Sequence, residues 1–321
     1  MKKPLILFGI GGFLYVKRKK SGKIRIFAYL CSDKIIQKMK FVDIKNDVAF
    51  RKIFGNQKKS VVLISFLNAV LRLEGSSRIS KVTIIDPYLL PRIAGEKASI
   101  IDVRATDQKG RQFVVEMQVA DLKGFEKRVQ FYTAKDYSMQ IEKGEDYPKL
   151  KPTFFIGILN FGIGFGKQYL AKHFNVEEET GVCVLDDIQY RFIQLTKFKK
   201  KKNELVDMVD KWTYFIKHAE KLEVIPDDIE DEGLITAYQE ADKHSWKKED
   251  LIAYDNASMR EQDERGRLEL AEERGIEKGE RETIIKPYKN GKTAEQISGF
   301  LDISLEKVIK IINEYKQNQS E

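Results

Sequence analysis

Ile100-Ile-Asp-Val-Arg-Ala-Thr-Asp-Gln-Lys-Gly-Arg-Gln-Phe-Val-Val-Glu-Met-Gln-Val119 is the stretch that decides the fold. Two strand-like runs, Ile100–Arg104 and Phe113–Val119, flank a turn-like Asp107-Gln-Lys-Gly110, so the segment reads as a β-hairpin. Side chains alternate faces along a strand, which sets Glu116 and Gln118 on one face and turns Phe113, Val115, Met117 and Val119 toward a core. Asp102 on the partner arm brings a third oxygen-bearing group close to them. Carboxylate and carbonyl oxygens, the Met117 carbonyl included, are the hard ligands that Mg²⁺ takes. A strand Asp or Glu is ordinarily just solvated, and Arg104, expected on the face of Asp102, is a competing ion-pair partner for it. Lys97 also lies close in sequence.

Working outward, Val48–Phe54 reads as a helix capped by Asn46 or Asp47 and stopped at Gly55-Asn56. Val61, Ile64, Leu67 and Leu71 recur at helical spacing over residues 60–73. Residues 81–85 read as a strand, and residues 125–141 as a helix. Thr153–Phe161 is an almost unbroken apolar run, as expected of a strand buried on both faces. The order helix, helix, three strands, helix, strand predicts a mixed α/β core. Farther along, residues 181–185 and 189–194 read as strands. Residues 203–220 read as a helix anchored in the core by Trp212 and Phe215.

The chain has 321 residues, 42% hydrophobic and 33% charged, with a formal net charge of +8. That supports a real core under a heavily solvated surface. Cys31 and Cys183 are too few for a disulfide framework or a zinc site, and His173, His218 and His244 have no ligand-like spacing. The positive charge is unevenly placed. Residues 1–38 hold ten Lys or Arg against one acid, Asp33, a net of +9, which leaves −1 for residues 39–321. The body is thus near neutral, with a local basic run, Lys197-Phe-Lys-Lys-Lys-Lys202, able to meet phosphates although such runs are usually solvated loops.

Pro4–Val16 is apolar, with Lys2-Lys3 before it and Lys17-Arg-Lys-Lys20 after it. It is too short to span a bilayer, which takes roughly 20 residues, and although it resembles a signal-peptide core, no clean cleavage site follows. Domain-like sequence begins almost at once after Met39, so residues 1–38 read as an upstream extension that need not be native, in preference to a membrane anchor. The expected organisation is that extension, a domain over 39–225, an acidic linker with a charged helix over 226–281, and a small helical tail over 282–321. In the tail, Thr293 and Ser304 suit N-caps of two short helices. Their spacing resembles a helix-turn-helix, although Leu305–Asn313 offers few side chains suited to reading bases. Location in the cytoplasm is expected.

Asp102 with Glu116-x-Gln118 resembles the Asp…Glu-x-Lys signature of the PD-(D/E)XK nuclease superfamily, with Gln118 where lysine is usual. Phe41-Val-Asp-Ile-Lys-Asn-Asp-Val-Ala-Phe-Arg-Lys-Ile-Phe-Gly55, Phe66-Leu-Asn-Ala-Val-Leu71 and Val114–Val119 are similar to the Rpn-type recombination-promoting nucleases, also called PD-(D/E)XK family transposases. So are Arg128-Val-Gln-Phe-Tyr132, Tyr147-x-x-Leu150-x-Pro152, the charged helix and the helical tail. The resemblance covers about residues 40–165 and 255–313. It implies a restriction-endonuclease-like mixed sheet flanked by helices, and a bacterial Mg²⁺- or Mn²⁺-dependent DNA endonuclease linked to recombination, mobile elements or phage defence. It makes Asp102 and Glu116 metal ligands and Gln118 the stand-in for the lysine. Asp47 becomes a candidate further ligand, and Arg128 and Tyr132, at i,i+4 on one helix face, candidate substrate contacts. DNA and a second copy of the chain are the expected partners, without a small-molecule cofactor. Glutamine in place of lysine and the near-neutral body also suit a second reading, a weak or inactive DNA-binding or assembly module of a mobile element.

Overall fold

The computed structural model describes residues 6–9, 12–18, 24–27, 39–89, 99–164 and 166–317. Lys97 and Cys31 lie outside them. The chain divides into two compact units, residues 1–246 and 247–321.

In the first unit β1 (Ile6–Gly9), β2 (Gly12–Arg18) and β3 (Ile24–Phe27) form an antiparallel meander, with Tyr15 opposite both Ile6 and Phe27. Within the apolar run Pro4–Val16, residues 6–9 and 12–16 thus belong to two different strands. Next come α1 (Asp47–Phe54), α2 (Val61–Leu71), β4 (Val82–Ile85), and the short pair β5 (Tyr88–Leu89) and β6 (Ser99–Ile100). The expected hairpin follows as β7 (Val103–Asp107) and β8 (Gln112–Gln118). After α3 (Phe125–Ser138) come β9 (Thr153–Leu159), β10 (Leu170–His173), β11 (Ile188–Gln194), α4 (Met208–His218) and α5 (Glu232–Ala241). Six strands make one sheet in the order β10-β11-β9-β8-β7-β4. Its central pairs β8/β9 and β9/β11 are parallel and the rest antiparallel, so the sheet is mixed, as expected.

Local chemistry fixes the hairpin. Asp107 Oδ1 accepts the Lys109 and Arg111 N–H groups at 2.8 and 2.9 Å, and Gly110 turns the chain at φ +81°, a conformation that favours glycine. Every residue of β9 is buried. On one side, α3 lays Phe125 and Val129 against Val114, Phe155, Leu159 and Phe192. Arg104 also turns that way, its Nε 2.5 Å from Asp136 Oδ1. Gly55, at the end of α1, lies against Val103, the neighbour of Arg104, so α1 serves the opposite face. With α1, α2, α4 and α5 it builds an aromatic core in which Phe54, Phe66, Trp212, Phe215 and Tyr238 follow one another at ring separations of 4.6–5.8 Å.

Three expectations change. Residues 181–185 are not a strand: β11 is already paired on both sides, by β9 and β10, and Val182, Val184 and Leu185 are exposed. The Trp212 helix begins at Met208, because Asp207 caps it by accepting the Asp210 N–H at 2.9 Å. The acidic segment around Pro226 is not an edge; the first unit continues to Trp246. Leu234, Ala237, Tyr238 and Ala241 of α5 are buried there, and Phe41 bridges to Asp242. Asp231 caps α5 and also accepts the Ser65 hydroxyl of α2 at 2.6 Å, while Ser65 accepts the Trp212 indole N–H at 3.1 Å.

The second unit holds α6 (Lys248–Lys289), α7 (Ala294–Leu301) and α8 (Leu305–Gln317). Thr293 and Gln296 cap α7 reciprocally, and Ser304 Oγ accepts the Lys307 N–H, so both expected caps are in place. Ile284, Ile285, Ile297, Val308 and Ile312 form its core. Residues 262–279 of α6 are exposed on all sides. No described helix is long and apolar enough to cross a membrane.

A Cβ at Gly233 would stand 2.4 Å from Ser65 Cβ and 2.6 Å from the Val61 carbonyl oxygen. Gly233→Ala must therefore push α5 off α2 and should lower stability by about 1–3 kcal/mol in urea unfolding. An unchanged midpoint would show that residues 226–246 do not belong to the cooperative core.

Candidate active site

The hairpin register sets Val103 opposite Val115 and Arg104 opposite Val114. One step further, Asp102 falls opposite Glu116. Asp102 sits at the bend just before β7, and its Oδ2 accepts the Met117 N–H at 2.9 Å, which ties the bend to β8. Its Oδ1 takes the Nε and Nη2 of Arg51, each at 3.0 Å. The ion-pair partner of Asp102 is thus Arg51 of α1, and not Arg104, which shares the expected face but is drawn to Asp136. Burial pushes the Asp102 carboxyl above its ordinary range, while the Met117 N–H and Arg51 pull it back.

Glu116 is 6% exposed on an inner strand, and no described residue hydrogen-bonds its carboxylate. Its other neighbour in register is Gly157 of β9. A Cβ at 157 would stand 2.9 Å from the Phe192 ring, so glycine is what lets that ring close over β9 beside Glu116. Burial first, then the neighbouring Asp102 carboxylate, pushes the Glu116 pKa up to about 8, with Arg128 and Arg51 pulling the other way.

Gln118 closes β8, and its Oε1 accepts from Arg128 Nη2 of α3. The Arg128 guanidinium also lies 5.6 Å from the Phe125 ring, and its buried Nε has no hydrogen-bond partner among the described residues. Tyr132, one turn along, packs against the apolar cluster under α3. Asp47 is half exposed at the start of α1, with its Oδ1 on the Val48 N–H and its Oδ2 3.9 Å from Arg51 Nη2. Asn46 does the capping. Asp102, Glu116, Gln118 and Arg128 therefore converge, Asp47 joins through Arg51, and Tyr132 faces the core. Arg51 and Asp136 were missed by sequence reasoning. The i,i+4 spacing of Asp47 and Arg51 was the one available signal for the former.

Among the described residues no group of three or more His, Cys, Asp or Glu is arranged to hold a metal. The donor set nonetheless suits a hard cation. Two carboxylates face each other across a strand pair, and one of them is buried without a hydrogen-bond donor, an arrangement that is costly unless charge is compensated. Met117 gives its N–H to Asp102.

The folded protein holds the Glu116 proton more tightly than the unfolded chain, where the ordinary value is 4.5. Below that value this group costs nothing. Stability then falls as pH rises toward about 8, by at most about 1.4 kcal/mol per unit. In EDTA, Glu116→Gln should melt above wild type at about pH 8, with the gap closing at about pH 5, as read by thermal unfolding across pH. A gap independent of pH would show that this carboxyl does not titrate in that window.

A family model described as PD-(D/E)XK nuclease family transposase matches residues 44–271, more than half of the chain, from just before α1 through the hairpin and into α6. No curated protein and no solved structure matches. The mixed six-stranded sheet flanked by helices agrees with the restriction-endonuclease-like architecture of that superfamily. A nuclease-type or transposase-associated function follows from the match. By this match, and by the fold it predicts, the chain belongs to the PD-(D/E)XK nuclease family transposases.

Proposed function

We propose that the protein is a metal-dependent DNA endonuclease, hydrolysing phosphodiester bonds in recombination, mobile-element movement or phage defence. The observation that carries this reading is Glu116, buried opposite Asp102 with no hydrogen bond to its carboxylate among the described residues. Asp102 and Glu116 are the residues to hold Mg²⁺ or Mn²⁺, with Asp47 within reach through α1. Such an ion supplies Lewis-acid stabilisation of the phosphoryl oxygens and a more acidic water.

The chain's own residues do the rest. Hydrolysis needs a water to lose a proton and attack phosphorus while the leaving oxygen gains one. Gln118 carries no charge, but its carbonyl end is engaged by Arg128, which leaves its amide N–H groups to orient a water. The positive charge that lysine would bring at position 118 is brought by the Arg128 guanidinium instead. Tyr132 supports the helix that carries it. We place the protein in a bacterial cytoplasm, acting on DNA as a homodimer, since cutting both strands takes two sites.

One observation favours the reading as a weak or inactive DNA-binding module: two Arg51 N–H groups already occupy Asp102 Oδ1. Plasmid nicking by the full-length protein separates the two. Mg²⁺- or Mn²⁺-dependent cutting, absent in EDTA and abolished by Asp102→Ala and by Glu116→Ala, is the expected result. A folded wild type that binds DNA and never cuts it makes the module reading correct. Within the nuclease reading, Arg128→Ala should lower turnover on the order of 100-fold with little change in DNA affinity, measured by single-turnover cleavage. Equal losses in both would make Arg128 a binding residue only.

A further inference from the structure

We infer that a second site, a basic cleft beside β10, takes the phosphodiester backbone of nucleic acid away from the carboxylate pair. The inference rests on the nucleic-acid reading above. β10 is the edge strand farthest from β7 and β4. Its alternation separates two environments. Ala171 packs with the Phe155–Phe192 cluster on the α3 side, and the His173 ring meets that of Phe192 at 5.6 Å. Lys172 turns to the opposite face.

The cleft there has a volume of about 1450 Å³. Six cations line it, Arg72, Lys167, Lys172, Lys197, Lys199 and Lys200, against one carboxylate, Glu204. It is a built surface. Lys197 Nζ donates to the carbonyls of Ile163 and Gly166 at 3.1 and 2.7 Å, joining the loop before β10 to the loop after β11. Lys200 is held by Asp210 at 2.6 Å, and Arg72 by Asp207 at 3.4 Å. The Tyr169 hydroxyl donates to the same Asp210 at 2.6 Å, and its ring stands edge-on to the buried Phe198 at 4.9 Å, which anchors Tyr169 among the charges.

The remaining cations, Lys167, Lys172 and Lys199, pair with no carboxylate among the described residues. Lys172 stands directly opposite Arg191 of β11. Among the described residues, the buried Arg191 guanidinium bonds the Tyr190 carbonyl and the Gln189 amide oxygen and no carboxylate. Like charges opposed across a strand pair destabilise it, and Lys172 is held below its ordinary pKa by burial and then by Arg72 and Arg191. An anion relieves that repulsion.

A single phosphate would engage two or three of these groups, and the cleft exceeds the roughly 300–1,000 Å³ of small-ligand pockets. A chain of phosphates fits both the number of cations and the open shape. Contacts of this kind position a strand without reading its sequence. Bound here, a segment flanking the cut would be held on the face opposite the one that carries Glu116.

The test is binding of the full-length protein to a short fluorescent DNA duplex in EDTA, by anisotropy over a range of salt. Lys172→Gln combined with Lys199→Gln is compared with wild type and with Lys143→Gln, an exposed control outside the cleft. The double variant should bind about 10-fold more weakly at low salt, and its log K against log salt should be shallower by about 1.8, that is about 0.9 per lost phosphate contact. The control should match wild type. Wild-type affinity and slope in the double variant, or an equal loss in the control, overturns the cleft. So does displacement of the duplex by an equal concentration of inorganic phosphate, the mark of a small-anion pocket. A wild type that nicks plasmid while the double variant binds unchanged removes only the cleft; a wild type that neither binds nor nicks removes the nuclease reading with it.

Discussion

Burying a carboxylate in the middle of a sheet, with no hydrogen bond to it among the described residues, is the constraint around which the first unit is organised. An isolated charge in a low-dielectric interior is costly enough that the group keeps its proton instead. The surroundings of Glu116 answer this from two sides. α1 delivers Arg51 and α3 delivers Arg128, one guanidinium from each helical layer, and both act to lower the Glu116 pKa. Neither donates a hydrogen bond to Glu116 itself. Arg51 spends its hydrogen bonds on Asp102, and Arg128 on Gln118. Charge is thus brought near while the carboxylate oxygens stay open, which is what a ligand for a cation requires.

Holding two helices to that tolerance is the task of the packing. α3 is pinned by the ion pair between the half-buried Arg104 and the fully buried Asp136. α1 is pinned through Phe50 and Phe54, fully or almost fully buried in the aromatic core beneath it. Gly157 lets Phe155 and Phe192 close over β9 beside Glu116. A Cβ there would press on both rings within about one residue of the chemistry, so packing and site share one set of side chains.

What could be read from the sequence divides along physical lines. The hairpin, the buried β9, the α1 cap and the tail caps were legible, because alternation, an unbroken apolar run, turn residues and cap residues are signals spread over a few neighbouring positions. Asp102 opposite Glu116 followed from the hairpin. The partner of Asp102 did not. Arg104 was nearer in sequence, but the ion pair formed with Arg51, and the acid that drew Arg104 away lies one helix further on at Asp136. Residues 181–185 had the apolar content of a strand, but β11, the strand they lead into, is already paired on both sides and their apolar side chains stay exposed. The α5 segment looked like a linker from its acids and Pro226. Its burial is decided by a glycine meeting Ser65 on α2, a long-range fit that no local pattern announces.

The fully exposed middle of α6 has its own energetics. Residues 262–279 bury nothing, so only propensity and local ion pairs hold them helical, and Gly266, Gly275 and Gly279 each cost about 0.8–1.0 kcal/mol relative to alanine. Pairs such as Glu261–Arg265 return only about 0.3–0.5 kcal/mol apiece. The glycines win that comparison. Backbone amides of this stretch will exchange readily with solvent deuterium, and a protease that cuts there will leave fragments that end within α6.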